Sequence, residues 1–123
     1  MKRKMIYHIL NELGVSCDLT GRTYIEYALE HLLANGRMSM NNELYPAMAM
    51  AFSATKGRIE RGIRYSIERM FECCSPNVLD KYFGNTVNYD SGKLTNTQFL
   101  YGVVKYIETF GDEIQEGIKN AEN

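Results

Sequence analysis

One amphipathic stretch constrains the fold of this chain more than any other feature. The run KGRIERGIRYSIERMF over residues 56–71 places Ile59, Ile63, Ile67 and Met70 on one side of an α-helix. On a helical wheel of about 100° per residue, these four side chains fall within roughly 80° of one another. Such spacing is typical of a helix that buries one face and exposes the other. The sequence therefore predicts a long helix over about 55–73, with Thr55 as its N-cap.

Five further helices are predicted from apolar spacing and helix-terminating residues. Their ranges are about 3–13, 21–35, 42–52, 76–83 and 96 to at least 110. Thr20 indicates the start of the second helix, and Ser75–Pro76 indicates the start of the fifth. Thr95 and Gln98 are predicted to form a capping box for the sixth helix. The third requires Pro46 to lie in its first turn, because an interior proline breaks a helix.

Residues 85–93 are rich in turn-forming residues and predict a loop, with at most a short extended stretch at 86–89. No other segment has the pattern of a strand. We therefore expect an all-α fold, a compact six-helix domain over 1–123, with an acidic tail from about 111.

Composition and cysteine usage argue against a membrane, secreted or metal-binding protein. The 45% hydrophobic content supplies one core, and no stretch has the length of a membrane span or the pattern of a signal peptide, so we expect a cytoplasmic protein. Three cysteines, Cys17, Cys73 and Cys74, make a poor disulfide framework and have no metal-ligand spacing with His8 or His31. We expect reduced thiols acting as small packing residues, and neither a metal nor a cofactor.

The distribution of charge is more informative than the formal net charge of −1. Residues 108–123 hold five acidic residues against one lysine, whereas residues 56–69 hold five basic residues against two acidic ones. Contacts with DNA phosphates depend on local charge, so the basic segment is the one that favours nucleic acid.

The segment over 44–72 has the outline of a helix-turn-helix, since a short helix and a three-residue break precede the long helix. Small side chains at Ala47, Ala49 and Ala51 would let the two helices cross closely. We expect the junction core to contain Phe52, Ala54, Ile59 and Ile63. Ser53 stands where glycine often begins such a turn.

The outward face of the long helix carries Arg58, Glu60, Arg61 and Arg64 around Gly57. Arginine can bond both major-groove acceptors of guanine, and glutamate can accept from cytosine or hold a neighbouring arginine. Lys56 and the unpaired amides of the first turn favour a phosphate. The competing interpretation is a solvated charged face, in which Arg–Glu neighbours merely stabilise the helix.

Several segments together resemble the C-terminal effector domain of the master response regulator of sporulation in endospore-forming bacteria. The resemblance covers about residues 6–110 and rests on ELGV, TGRTYIEYAL, LYPAMAMAF, ATKGRIERGIRYSIE, FGNTV and KLTNTQF. It implies a six-helix domain that binds DNA sequence-specifically and cooperatively, and that activates and represses transcription. It implies base-reading roles for Arg58, Glu60, Arg61 and Arg64, backbone contacts by Thr55 and Lys56, and RNA polymerase as a partner.

Some alternatives remain open at this stage. Family members normally carry a receiver domain, which we do not expect here, so the chain is either an excised effector domain or a free-standing homologue. The helix over 96–110 either docks onto the domain or also joins two subunits in a homodimer. An interaction module that has lost operator binding would instead use Tyr82, Phe83, Phe99 and Tyr101. An enzyme is not expected, because no phosphate loop, metal cluster or nucleophile motif is present.

Overall fold

The computed structural model describes residues 2–17, 19–84 and 94–122. Within these ranges the chain is all-α, as expected, and contains no strand. The elements are α1 (Lys2–Leu13), α2 (Thr20–Asn35), a π turn (Met40–Leu44), α3 (Tyr45–Phe52), α4 (Lys56–Cys73), α5 (Pro76–Phe83) and α6 (Asn96–Glu122). The loop predicted over 85–93 lies outside the described residues.

Side-chain caps explain where α4, α5 and α6 begin. Thr55 Oγ1 accepts from the Arg58 amide at 3.1 Å, and Ser75 Oγ accepts from the Val78 amide at 3.4 Å. Thr95 and Gln98 form a reciprocal capping box, with bonds of 3.1 and 3.0 Å. These predicted starts are confirmed. The second helix differs slightly, because Leu19 occupies its N-cap and offers no side-chain acceptor.

The predicted start of the third helix was wrong. An α-helix from about 42 was expected, but residues Met40–Leu44 form a π turn and the α-helix begins at Tyr45. Pro46 explains the difference, because it has no amide to donate to the Asn42 carbonyl four residues earlier. The π turn is instead capped by Ser39, whose Oγ accepts from the Asn42 amide at 3.2 Å. Pro46 does lie in the first turn of α3, as predicted.

The core lies between α2, α4 and α6, with α1, α3 and α5 packed around it. Every helix contributes fully buried or nearly buried apolar side chains, among them Ile6, Leu10, Ile25, Leu29, Met48, Ile59, Ile63, Leu79 and Phe99. Arg22 is also buried, at 2% exposure, and donates to the Val15 carbonyl at 2.7 Å and to Asn11 Oδ1 at 3.2 Å. It ties the α1–α2 connection to α2.

Helix α6 bends at Phe110, whose backbone angles (φ −119°, ψ 16°) are not helical. The part before the bend packs into the core through Phe99, Val103 and Ile107. After the bend, Ile114 and Ile118 pack against the edge of the core. The acidic segment expected as a tail therefore continues α6.

Candidate nucleic-acid interface

The turn between α3 and α4 is tight and is stabilised by backbone hydrogen bonds. Ser53 adopts the left-handed conformation (φ 50°, ψ 47°), and the Ala54 amide donates to the Ala49 carbonyl at 3.0 Å. Left-handed backbone is strained for a residue with a Cβ atom, which is why glycine is common at this position. The chain thus makes the helix-turn-helix bend with serine. Helix α4 begins two residues after Ala54, at Lys56.

The inner face of α4 confirms the expected apolar stripe. Ile59, Ile63 and Met70 are fully buried and Ile67 is 2% exposed. Phe52 and Ala54 are half-buried and pack against the same core, so the predicted junction between α3 and α4 is present. The opposite face of α4 is consequently held towards solvent.

Two of the four predicted base-reading side chains form an ion pair on the outer face. Arg64 Nη1 lies 2.8 Å from Glu60 Oε1, and Arg64 Nε lies 3.9 Å from Glu68 Oε1. The Arg64 and Glu60 side chains are each about half exposed, at 52% and 47%. Glu60 therefore holds the guanidinium of Arg64 along the helix surface, and both groups stay accessible to a ligand.

The other two, Arg58 and Arg61, are exposed and have no carboxylate partner within the described parts of the chain. The Arg61 guanidinium folds back over Gly57, where a Cβ atom would come within 3.0 Å of Arg61 Nη1. Gly57 thus leaves space for Arg61 to lie along the first turn. A shallow groove runs between these arginines and the turn, lined also by Ala49, Ser53 and Thr55.

Thr55 and Lys56 lie at the N-terminus of α4, where the helix dipole is positive. The Thr55 hydroxyl accepts from the Arg58 amide and keeps its own hydrogen for a further acceptor. Lys56 is exposed, and the amides of Lys56 and Gly57 donate to no acceptor in the described residues. This end of α4 offers a cation and backbone donors to one anion.

The comparison with known families agrees with this geometry. A family model described as sporulation initiation factor Spo0A C terminal matches residues 6–107. The chain belongs to this family. The Spo0A C-terminal family is a DNA-binding effector domain of sporulation transcription factors and not an enzyme family. The matched residues include the turn, all of α4 and the first half of α6, up to three residues before the bend at Phe110.

The crossing of α2 over α4 was not predicted from the sequence, and it positions α4 in this Spo0A C-terminal domain. A Cβ atom on Gly21 would lie 2.1 Å from Ser66 Oγ and 2.2 Å from the Gly62 carbonyl oxygen. The two backbones therefore meet at Gly21 and Gly62. The small residues on α3 were expected to allow a different crossing, that of α3 with α4; of these, Ala49 packs against the core and Ala51 is exposed. A glycine at the edge of an apolar helix stripe was the available signal.

Asn96 is a second positioning residue that sequence reasoning missed. Its Nδ2 donates to the Glu60 backbone carbonyl at 3.1 Å and to the Tyr45 hydroxyl at 3.2 Å. The first residue of α6 thereby ties α3 to the second turn of α4. Burial raises the pKa of Tyr45, and the hydrogen bond from Asn96 partly opposes this rise. Asn96 lies within the LTNTQF segment, and only the folded structure brings it to α4.

The aromatic residues that an interaction module would use lie mostly in the core, which is the more common place for such side chains. Tyr82, Phe83 and Phe99 are buried in the core. Tyr101 is half-buried, and its hydroxyl is hydrogen-bonded to the Met38 carbonyl. No surface for a partner protein forms from these four side chains.

The thiols differ from the expectation of packing residues. Cys17 and Cys73 are exposed, and only Cys74 packs against the core, where burial raises the pKa of its thiol. No group of three or more potential metal ligands occurs in the part of the chain that the structure describes. None of the described helices is long and apolar enough to cross a membrane.

Proposed function

We propose that this chain binds double-stranded DNA sequence-specifically, places the N-terminal half of α4 in the major groove, and regulates transcription from the sites it binds. One observation carries the proposal. Lys56, Arg58 and Arg61 are exposed on a capped helix directly after a tight turn, and among the described residues no carboxylate pairs with them. Cations without a partner on this face attract phosphates and the acceptor edges of guanine.

The four reading residues then divide into two pairs. Arg58 and Arg61 reach base edges directly, because their guanidinium groups are not engaged in the protein. Glu60 and Arg64 act together, since Glu60 orients the Arg64 guanidinium at 2.8 Å before DNA arrives. An arginine that is already oriented loses less side-chain freedom when it forms a bidentate contact.

Thr55 and Lys56 contact the sugar–phosphate backbone in this proposal. The first-turn amides and the positive end of the helix dipole stabilise a phosphate at this position. The opposite limit of the contact is set by Glu68 and Glu72. These carboxylates lie farther along α4 and are each within 4 Å of an arginine, at 3.9 and 2.7 Å. Beyond the third turn these two carboxylates outnumber the single arginine, Arg69, so phosphates are less favoured there than at the start of the helix and the DNA contact ends near the third turn.

A homodimer through α6 and contact with RNA polymerase are further parts of the proposal. Of the apolar side chains expected to pair subunits, Phe99, Val103 and Ile107 are used by the domain's own core. Tyr106 is half-buried and Phe110 is 45% exposed. A dimer would therefore use the surface around the bend in α6. Contact with RNA polymerase stays a prediction of the family membership.

Selection of bound sites from a random DNA library tests the proposal. We expect one enriched motif for the native chain, with guanines at the positions that Arg58 and Arg61 contact. An Arg58→Ala/Arg61→Ala variant should fold normally and enrich no motif. Arg69→Ala, which removes an arginine paired with Glu72 at 2.7 Å, is the matched control and should enrich the native motif. Failure of the folded native chain to enrich any sequence would contradict the proposal.

A further inference from the structure

Tyr65 is an unexplained aromatic side chain on the outer face of α4. It is 54% exposed, on the side of α4 opposite the apolar stripe that the helix buries. The other exposed rings have neighbours in the fold. Tyr7 lies 5.5 Å from the Arg22 guanidinium and 5.9 Å from the His8 ring, and Phe110 lies 4.9 Å from the Tyr106 ring. In the described ranges, Tyr65 has no aromatic, cationic or hydrogen-bond partner.

The position of Tyr65 places it among the proposed base-reading residues. It follows Arg61 by four residues and Arg58 by seven, so the three side chains share one face of the helix. Four residues correspond to about 6 Å along the axis, close to the rise of two base pairs. Helical side chains lean towards the N-terminus, so the ring points towards the turns that carry the arginines.

We propose that Tyr65 reads a thymine by packing its ring against the C5-methyl group in the major groove. This inference rests on the proposed function, because it needs α4 in the groove. The thymine methyl is the apolar feature that the major groove presents, and apolar side chains are the groups that recognise it. The hydroxyl could instead meet a phosphate, but the following turns of α4 carry Glu68 and Glu72 against Arg69 alone, and this net negative charge disfavours a phosphate beside Tyr65.

Replacing single thymines by deoxyuridine tests the inference, because this change removes only the methyl group. The probe is the motif selected with the native chain, with each thymine replaced in turn. For the native chain we expect one position to weaken binding by about fourfold, the value of one buried carbon. Tyr65→Ala should bind thymine and deoxyuridine equally at that position. Tyr65→Phe should keep the native difference.

Tyr7→Ala is the matched control, because it removes a similarly exposed tyrosine from α1 and should leave the deoxyuridine pattern unchanged. The inference is overturned if no thymine is sensitive in the native chain, or if Tyr65→Ala keeps the sensitivity. It is also overturned if Tyr65→Phe weakens binding to all sequences alike, since the hydroxyl would then contact a phosphate. These outcomes leave the proposed function standing, because each is measured on DNA that the chain binds. Absence of any selected motif overturns both.

Discussion

The inner and outer faces of α4 carry opposite kinds of contact. On the inner face, Ile59 and Ile63 are fully buried, and the backbone at Gly62 touches that of Gly21. On the outer face, Arg58, Arg61 and Tyr65 are exposed and without partners among the described residues. The inner contacts position the helix and the outer groups are left for a ligand. Substitutions on the inner face should therefore change stability, and substitutions on the outer face should change DNA binding.

The largest expected effect is on the inner face, at Gly21. Gly21→Val would place side-chain atoms where a Cβ atom already lies about 2 Å from Gly62 and Ser66 atoms. Because both neighbours lie on the inner face of α4, α2 and α4 must separate, and we expect a loss of more than about 3 kcal/mol in the free energy of unfolding. Urea denaturation measures it.

Gly117→Ala is the control for this substitution. Gly117 is also in a helix, but a Cβ atom there meets nothing within 4 Å. Alanine should increase stability by up to about 1 kcal/mol, because it has the higher helix propensity. If Gly21→Val left stability unchanged, the crossing of α2 and α4 would not be what positions α4.

A smaller effect, on binding alone, is expected for Lys56. Lys56→Ala should weaken operator and scrambled DNA equally and lower the slope of log K against log salt by about 0.9, the equivalent of one phosphate contact. Thermal unfolding should be unchanged, because Lys56 is exposed. Lys105→Ala, on the exposed side of α6, is the control and should leave the slope at its native value. A sequence-dependent loss at Lys56 would reassign this side chain to a base.

A contact between α1 and α5, far from the outer face of α4, should affect the stability of the fold without affecting DNA binding. Glu12 of α1 accepts from Tyr82 and lies 3.0 Å from Lys81 Nζ, both in α5. Burial alone would raise the pKa of Glu12, but the hydrogen bonds from Tyr82 and Lys81 outweigh burial and leave the pKa lowered. Burial and the contact with Glu12 raise the pKa of Tyr82, which keeps this donor protonated.

Glu12→Gln should therefore cost roughly 1 kcal/mol of stability at neutral pH. A carboxyl group whose pKa is lowered by folding stabilises the fold above its unfolded pKa and loses that contribution as pH falls through the folded pKa. The difference between native and variant chains should thus be full at pH 7 and shrink below about pH 4.5, the ordinary value for glutamate. If the difference in stability between the native and variant chains were independent of pH, the charge of Glu12 would not be involved. The affinity for the operator should be the same for both chains.

The smallest expected effect is in the turn. Ser53→Gly should increase stability by roughly 0.5 kcal/mol, because it relieves the left-handed strain but adds freedom to the unfolded chain. Thermal unfolding measures the gain. Ala54→Gly, where the turn residue is half-buried against the core, is the contrast and should decrease stability. A loss at Ser53 would mean that the serine side chain, and not the backbone, maintains the turn.

The sequence could predict features whose cause is local. Thr55, Ser75 and the Thr95–Gln98 pair cap the helices that they were expected to cap, since the bonding partners lie three residues away. The periodicity of Ile59, Ile63 and Ile67 likewise predicted which face of α4 is buried. The Gly21–Gly62 crossing and the Asn96 bridge to Glu60 join residues more than 30 positions apart, and no local pattern specifies them. The sequence also predicted that glutamate on this face could hold a neighbouring arginine, and the structure identifies the pair as Glu60 with Arg64.

Base reading by the outer face of α4 is the claim that a substitution of Arg61 tests most sharply. The measurement is the ratio of affinities for operator and scrambled DNA, taken for the native chain, Arg61→Ala and Arg69→Ala at one salt concentration. We expect Arg61→Ala to weaken operator binding by roughly 1–3 kcal/mol with little change for scrambled DNA, so that the ratio falls by between about fivefold and a hundredfold or more. Arg69→Ala should keep the native ratio, and all three proteins should unfold at the same temperature. An unchanged ratio for folded Arg61→Ala would contradict the claim.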